Sequence, residues 1–471
     1  MLIVGILSIY LVGLLIVGNL SLRFTPSEAI GLAFPLGMGA QTLMMTLADL
    51  LGLPLTALTM FALTALLAVA LLVPFCLRRR RLMADRRARP FTAPSGYNLV
   101  WLLFIALTVY LEYMNLVKCL YFPAFDRDSL AGFDTIGYVI AQEHTFRGLS
   151  IFRPDYMPSI HDAGSYLVYA PMVQLSYAYV YLLGAATSKL IPALMYLSLL
   201  FAFYGSTKRV VSRTGAAIAT FFMLLTPEML AFSSMSATNV IHAVSASLGI
   251  IYVALWWRGR EQRDLFVGAL LLGLNIWTRT DGVVFILAAL LIVFIRTLQT
   301  RRWVADLAPF LAFALFPPLL WMLFSRVSGF YTESIAILHP FWDADKAATI
   351  LTHMTSHYLN LTFYGWSFLF FALSLLLNSW NLLRRRDNLP LLTMILVASL
   401  LYMVALYQID YKWDSIRQVL AYSAKRFLFC FIPLVWFYAL TNRWAQTLLS
   451  RADRFLSYTR NLPGNNRPKK Q

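Results

Sequence analysis

The chain has 471 residues, 59% of them hydrophobic and only 13% charged, with a mean hydropathy of +0.67. A soluble domain carries about 25% charged residues, so this composition excludes a soluble globular protein and describes a membrane protein with many spans. The formal net charge of +17 does not point to nucleic acid, because the basic residues sit in short loops between apolar runs, the pattern of topology determinants.

Thirteen apolar runs follow one another, at about 2–22, 29–52, 54–77, 97–117, 189–207, 214–231, 238–257, 265–278, 282–299, 304–325, 361–381, 390–407 and 427–442. Each approaches the roughly 20 residues that carry a helix across a bilayer core. Continuous runs fit helices, whose backbone satisfies its own hydrogen bonds, and not the alternating strands of a barrel. The fold class expected is all-α and polytopic. The first run lacks a basic segment before it, so it reads as a retained span and not a cleaved signal peptide. Cys76, Cys119 and Cys430 lie far apart with no CxxC, which suggests neither a disulfide framework nor a zinc site.

Charge assigns the loops to sides. Six basic clusters hold 26 of the 39 Lys and Arg: Arg78 to Arg89, Lys208 to Arg213, Arg258 to Arg263, Arg296 to Arg302, Arg384 to Arg386, and the tail from Arg443. With thirteen spans and the N-terminus outside, all six fall on the cytoplasmic side. A fourteenth apolar stretch, 166–185, would break this pattern as a span. It is expected to lie in, or dip into, the outer interface. The loops 118–188, 232–237, 326–360 and 408–426 and the turn at Thr278–Gly282 then all face outside. No repeat of 20–50 residues is visible, which speaks against a solenoid and against an inverted-repeat transporter.

The outer loop 118–188 is the longest polar interval. Between 118 and 171 it holds six of the 22 acidic residues, with His144, His161 and many aromatics interleaved. Asp128 reads either as the N-cap of a helix over 129–146 or as a general base for a hydroxyl; Asp134 is the reserve. Asp126-Arg127-Asp128 is formally a DxD, on the wrong side for a nucleotide sugar. Thr278-Arg279-Thr280-Asp281-Gly282 follows a run of only about 14 residues. Arg279 and Asp281 therefore sit near headgroup depth, either as a structural pair or as a phosphate-binding Arg with its orienting acid. Lys425 and Arg426 open the last span from the outside, against the positive-inside bias, and read as snorkelling cations or as contacts to an anionic ligand. His353 and His357 have i, i+4 metal-ligand spacing but no HExxH. A divalent metal is the minor reading, and no cofactor is assigned.

In this order the motifs resemble the GT-C class of membrane glycosyltransferases, the superfamily of the dolichyl-phosphate-mannose-protein mannosyltransferases and the aminoarabinose transferases. RDSLAGFDTIGYVIA is similar to the acidic first outer loop of that class, with Asp128 as the acid. Tyr169-Ala170-Pro171-Met172 looks like a degenerate Tyr-Pro-Pro-Leu segment. TRTDGVVFILAALL matches the basic-x-acidic-Gly turn, SATNVIHAVSASLGIIYVAL a segment that often has an acid where Asn239 stands, and SAKRFLFCFIPLVWF the closing segment with its basic residue at Arg426. The resemblance covers about 97–442. It divides the chain into an N-terminal three-span extension (1–96), a catalytic membrane domain (97–442) and a basic cytoplasmic tail (443–471).

What the resemblance implies is an inverting transfer of a hexose or pentose from a polyprenyl-phosphate donor to a glycan, lipid or protein acceptor. The reaction would take place at the outer face of the plasma membrane. Asp128 or Asp134 would be the base. Arg279, Asp281, Lys425, Arg426, Tyr169, His161 and Asn239 would bind substrate. The alternatives are a noncatalytic subunit built on the same fold, or a lipid or solute transporter.

Overall fold

The computed structural model describes residues 1–88, 98–126, 128–152, 169–329, 336–338, 341–411 and 415–458. His161 of the outer loop lies outside them. The described chain is a bundle of helices with one exception, a short two-stranded antiparallel ribbon on the loop side. In order, the first helices are α1 (Leu2–Leu20), α2 (Pro26–Leu50), α3 (Ala57–Ala88) and α4 (Leu99–Tyr121). The loop region holds α5 (Asp134–Glu143) and α6 (Met172–Leu182). Then come α7 (Leu190–Lys208), α8 (Arg213–Leu224), α9 (Pro227–Phe232), α10 (Asn239–Gly259), α11 (Gln262–Thr278), α12 (Val283–Thr300) and α13 (Ala308–Ser328). The last group is α14 (Ala344–Tyr358), α15 (Leu361–Tyr364), α16 (Ser367–Arg385), α17 (Leu389–Gln408), α18 (Ile416–Phe429), α19 (Ile432–Thr441) and α20 (Arg443–Tyr458).

Ten helices among the described residues are long and apolar enough to cross a membrane, eleven if α18 and α19, bent by 41° at their junction, count as one span. That is fewer than the thirteen apolar runs, and the difference has local causes. The run 214–231 is cut into α8 and α9 at Thr226-Pro227, because proline lacks the N–H a continuous helix needs. The run 265–278 is α11, only 17 residues long. Both still lead from one end of the bundle to the other. α8 begins beside Asn98, which donates to Thr214, and α9 ends at Phe232, whose ring centroid lies 5.5 Å from the Lys425 ammonium. α11 begins where Gln262 meets Asp306 and closes where Asn275 meets His242. The protein is an all-α, multi-pass membrane protein.

α10 is the hub: 94% of its apolar window is buried, and α7, α11, α12, α17 and α19 pack around it. α3, α4 and α16 stand at the periphery and expose most of their apolar surface. α1 and α2 pack closely because Gly13 and Gly37 face backbone. A Cβ on Gly13 would overlap the carbonyl of Ala33, and one on Gly37 that of Ile9, the small-residue contact by which membrane helices approach. α2 is no appendage. It runs along α7, and its Glu28 meets Arg209 (3.2 Å), which also clamps Asp264 at 2.8 and 2.6 Å. At its other end, Asp49 accepts from the Phe146 and Arg147 amides at 3.1 and 3.0 Å and ties down the loop after α5.

Within the apolar stretch 166–185 the described residues form α6, only 11 residues long and too short to span, with Met172 to Val180 all buried in protein. It packs against α5 and α2. The ribbon joins two loop segments far apart in sequence, pairing Ala336–Leu338 with Ile409–Tyr411, and Lys346 of α14 reaches Asp410 at 2.6 Å. Among the described residues, the loops assigned to one side by charge thus gather at one end of the bundle, and the basic clusters at the other.

Candidate active site

Asp126 decides where Asp128 points. The Asp126 carboxylate accepts from the Ser129 amide at 2.9 Å and from its hydroxyl at 2.5 Å, taking the capping duty that the sequence suggested for Asp128. A π-turn over Ser129–Phe133 then leads into α5. Asp128, at the cap position with helical angles and no capping bond, is left free to pair with Arg426 of α18, the two in direct contact. Their side chains keep 21% and 29% exposure, so water reaches the pair.

Asp134 has a different partner. The Tyr181 hydroxyl of α6 donates to its Oδ1 at 2.7 Å. Burial, and then this contact with the carboxylate, push the Tyr181 phenol up to about 12, so it remains a donor at neutral pH. The two loop carboxylates are therefore distinguished by surroundings, one facing a cation and one held by a neutral hydroxyl.

The Arg279–Asp281 turn follows α11 directly. Arg279 Nε and Nη2 donate to the two Asp281 oxygens at 3.1 and 2.8 Å, and Nη1 lies 3.5 Å from the Thr238 hydroxyl. The guanidinium is buried to 7% residual exposure and stands 5.9 Å from the Tyr169 ring centroid. Tyr169 in turn meets Phe133 edge-on at 5.3 Å, which joins the turn to the helix of Asp134. Gly282 is required by packing: a Cβ there would collide with Asn275 Oδ1 and stand 3.0 Å from the Asn275 carbonyl carbon. Asn275 donates to His242 Nδ1 at 2.9 Å and to the His242 carbonyl at 2.8 Å. Nδ1 is thus an acceptor, and Nε2 carries the proton toward Asp281 Oδ1, 3.6 Å away.

Lys425 is adjacent to Arg426 in sequence but diverges from it in space. Its ammonium donates to Glu228 of α9 at 2.9 Å and lies 4.0 Å from the Phe363 ring centroid. Asn239 opens α10 with Oδ1 buried and without a hydrogen-bond partner among the described residues. His353 and His357 do share a face of α14, with Nε2 atoms 3.0 Å apart. No group of three or more His, Cys, Asp or Glu side chains able to hold a metal occurs among the described residues.

Glu228 and Tyr181 of this region stand outside the residues that the sequence singles out. Glu228 was absorbed into an apolar run, although an acid directly after Pro227 is the signal that the run breaks there. His242 was visible but had no role until Asn275 and Asp281 fixed its tautomer. Tyr181 lay in an apolar stretch with no marker of its contact with Asp134.

Residues 170–321 match a family model described as dolichyl-phosphate-mannose-protein mannosyltransferase. The match begins one residue after Tyr169 and spans Glu228, Asn239, His242 and the Arg279–Asp281 turn. The likeness to membrane glycosyltransferases of the GT-C class holds. No curated protein and no solved structure matches the chain. The match covers about a third of the chain, and on a bundle of this many apolar helices it supports a membrane glycosyltransferase of the GT-C type.

Proposed function

We propose that the protein transfers a hexose or pentose from a polyprenyl-phosphate donor to a hydroxyl of a glycan, lipid or protein acceptor. The transfer takes place at the outer face of the plasma membrane, with inversion at the anomeric carbon. The N-terminus lies outside, the tail inside, and residues 97–442 form the catalytic domain between the first three spans and the tail. The observation that carries this reading is the Asp128–Arg426 pair, a base and a cation in contact at the end of the bundle where the Arg279–Asp281 turn also lies.

The chemistry divides between them. The acceptor oxygen forms a bond to the anomeric carbon while the bond from that carbon to the phosphate oxygen breaks. The hydroxyl proton passes to Asp128, and the bonding pair leaves with the polyprenyl phosphate, whose negative charge increases. Fixed cations stabilise that growing charge more in the transition state than in the ground state. Arg426 is shared: the donor phosphate draws it away from Asp128 and leaves the carboxylate ready for the hydroxyl. Arg279, oriented by Asp281, meets the phosphate from the other side, with Lys425 as a further cation behind Glu228. Tyr169 lies against the sugar, His161, outside the described residues, is kept as a further sugar-binding candidate, and Asn239 offers its unpartnered oxygen to a sugar hydroxyl.

Binding of polyprenyl phosphate to the purified protein tests the sharing. Arg426→Gln should weaken binding by about tenfold or more, the loss of one charge-assisted contact. Asp128→Asn should bind at least as well as wild type, because its competitor for Arg426 is gone. Unchanged binding in Arg426→Gln would remove the basis of this reading.

A further inference from the structure

At the end of the bundle opposite Asp128 lies a cavity of about 500 Å³, set among the ends of α10, α12, α16, α17 and α20. Arg258, Arg260, Arg296, Arg385, Arg386 and Arg443 all line it, against a single carboxylate, Asp387. Positive loops as such need no further explanation, since they orient the chain. Their convergence on one concave site is a different matter, because like charges at close range repel and loop arginines are free to spread into water.

The one acid is already divided. Asp387 accepts from the Arg443 amide at 2.7 Å and from Asn378 at 3.3 Å, with Arg258 and the Arg443 guanidinium each at 3.9 Å. Arg258 is fixed further by Asn388 and by the Thr441 carbonyl, and Arg296 by the Trp257 ring at 4.9 Å. Arg260, Arg385 and Arg386 have no acidic partner among the described residues.

We propose that this cavity binds a phosphate-bearing anion. Guanidinium forks from several helices match phosphate oxygens in geometry as well as charge, and basic pockets between membrane helices take lipid phosphates. The phosphate has two sources, an anionic phospholipid headgroup or a soluble phosphate ester. The site is separate from the glycosyl-transfer reading and stands or falls without it.

The test uses the full chain in discs of neutral lipid, with thermal unfolding and ligand binding read against added phosphatidylglycerol in one arm and inorganic pyrophosphate in the other. Wild type should be stabilised in at least one arm: the lipid alone identifies a headgroup site, pyrophosphate a soluble anion. Arg385→Gln/Arg386→Gln should weaken that binding by about tenfold or more. Arg260→Gln, at an independent position, should do so to a smaller extent. Arg301→Gln/Arg302→Gln removes two exposed arginines outside the cavity and should leave binding unchanged. No stabilisation in either arm, or equal losses in the cavity and control variants, overturns the proposal.

Discussion

Arg279 and Arg426 carry the same charge in two unlike settings. Arg279 is buried and locked by both oxygens of Asp281, whereas Arg426 keeps partial contact with water and one carboxylate partner. Arg279→Lys should therefore fold but lose most transfer activity, because an ammonium cannot hold Asp281 through two parallel bonds. Near-normal activity in Arg279→Lys would show that only charge matters there. Tyr181→Phe removes the donor from Asp134 while leaving Asp128 untouched. It should cost stability of about 1 kcal/mol, typical of a single hydrogen bond, and change turnover less than threefold. A hundredfold loss in Tyr181→Phe would instead mark Asp134 as the base. Such pairings could not be read from the sequence. Asp126, Asp128 and Asp134 look alike in a loop, and their partners in space, Ser129, Arg426 and Tyr181, separate their roles.

Among the elements, the turn from α11 into α12 shows what spacing reveals and what it hides. A short apolar run ending in Arg-x-Asp-Gly was legible as a charged turn near the membrane surface. The reason for Gly282 was not, since it depends on Asn275 seven residues earlier folding back against it. Gly282→Ala should displace Asn275, loosen its grip on His242 and destabilise the protein by about 1–3 kcal/mol, as overpacking does. A melting curve in detergent compared with wild type checks this; an unchanged midpoint with full activity would mean the turn relaxes freely. The break at Pro227 was legible in principle. The buried setting of α6 was not, because apolar composition does not tell burial in lipid from burial in protein.

For the whole molecule, the alternation of apolar runs with basic and polar loops was enough to give the fold class and to sort the loops onto two ends. It was enough because the hydrocarbon core admits few backbone solutions and positive charge is retained on one side. Which end faces out is a prediction. In a Cys76→Ser background, single cysteines at Phe125 or Trp342, both exposed at the loop end, should react with an impermeant reagent on intact cells. Cysteines at Arg302 or Leu383 should react only after permeabilisation. The reverse pattern would move the proposed site to the cytoplasmic face.

The central claim is glycosyl transfer with Asp128 as base, and turnover in a reconstituted system measures it most directly. Purified protein in liposomes, given a series of polyprenyl-phosphate hexoses and pentoses with a membrane extract as acceptor source, is followed by release of polyprenyl phosphate. The account predicts release by wild type with at least one donor, and a loss of ~10²-fold or more in Asp128→Asn at unchanged folding, the typical effect of removing a general base. Equal release by wild type and Asp128→Asn, with Asp134→Asn inactive, would contradict the assignment. Equal release by all three would contradict the mechanism.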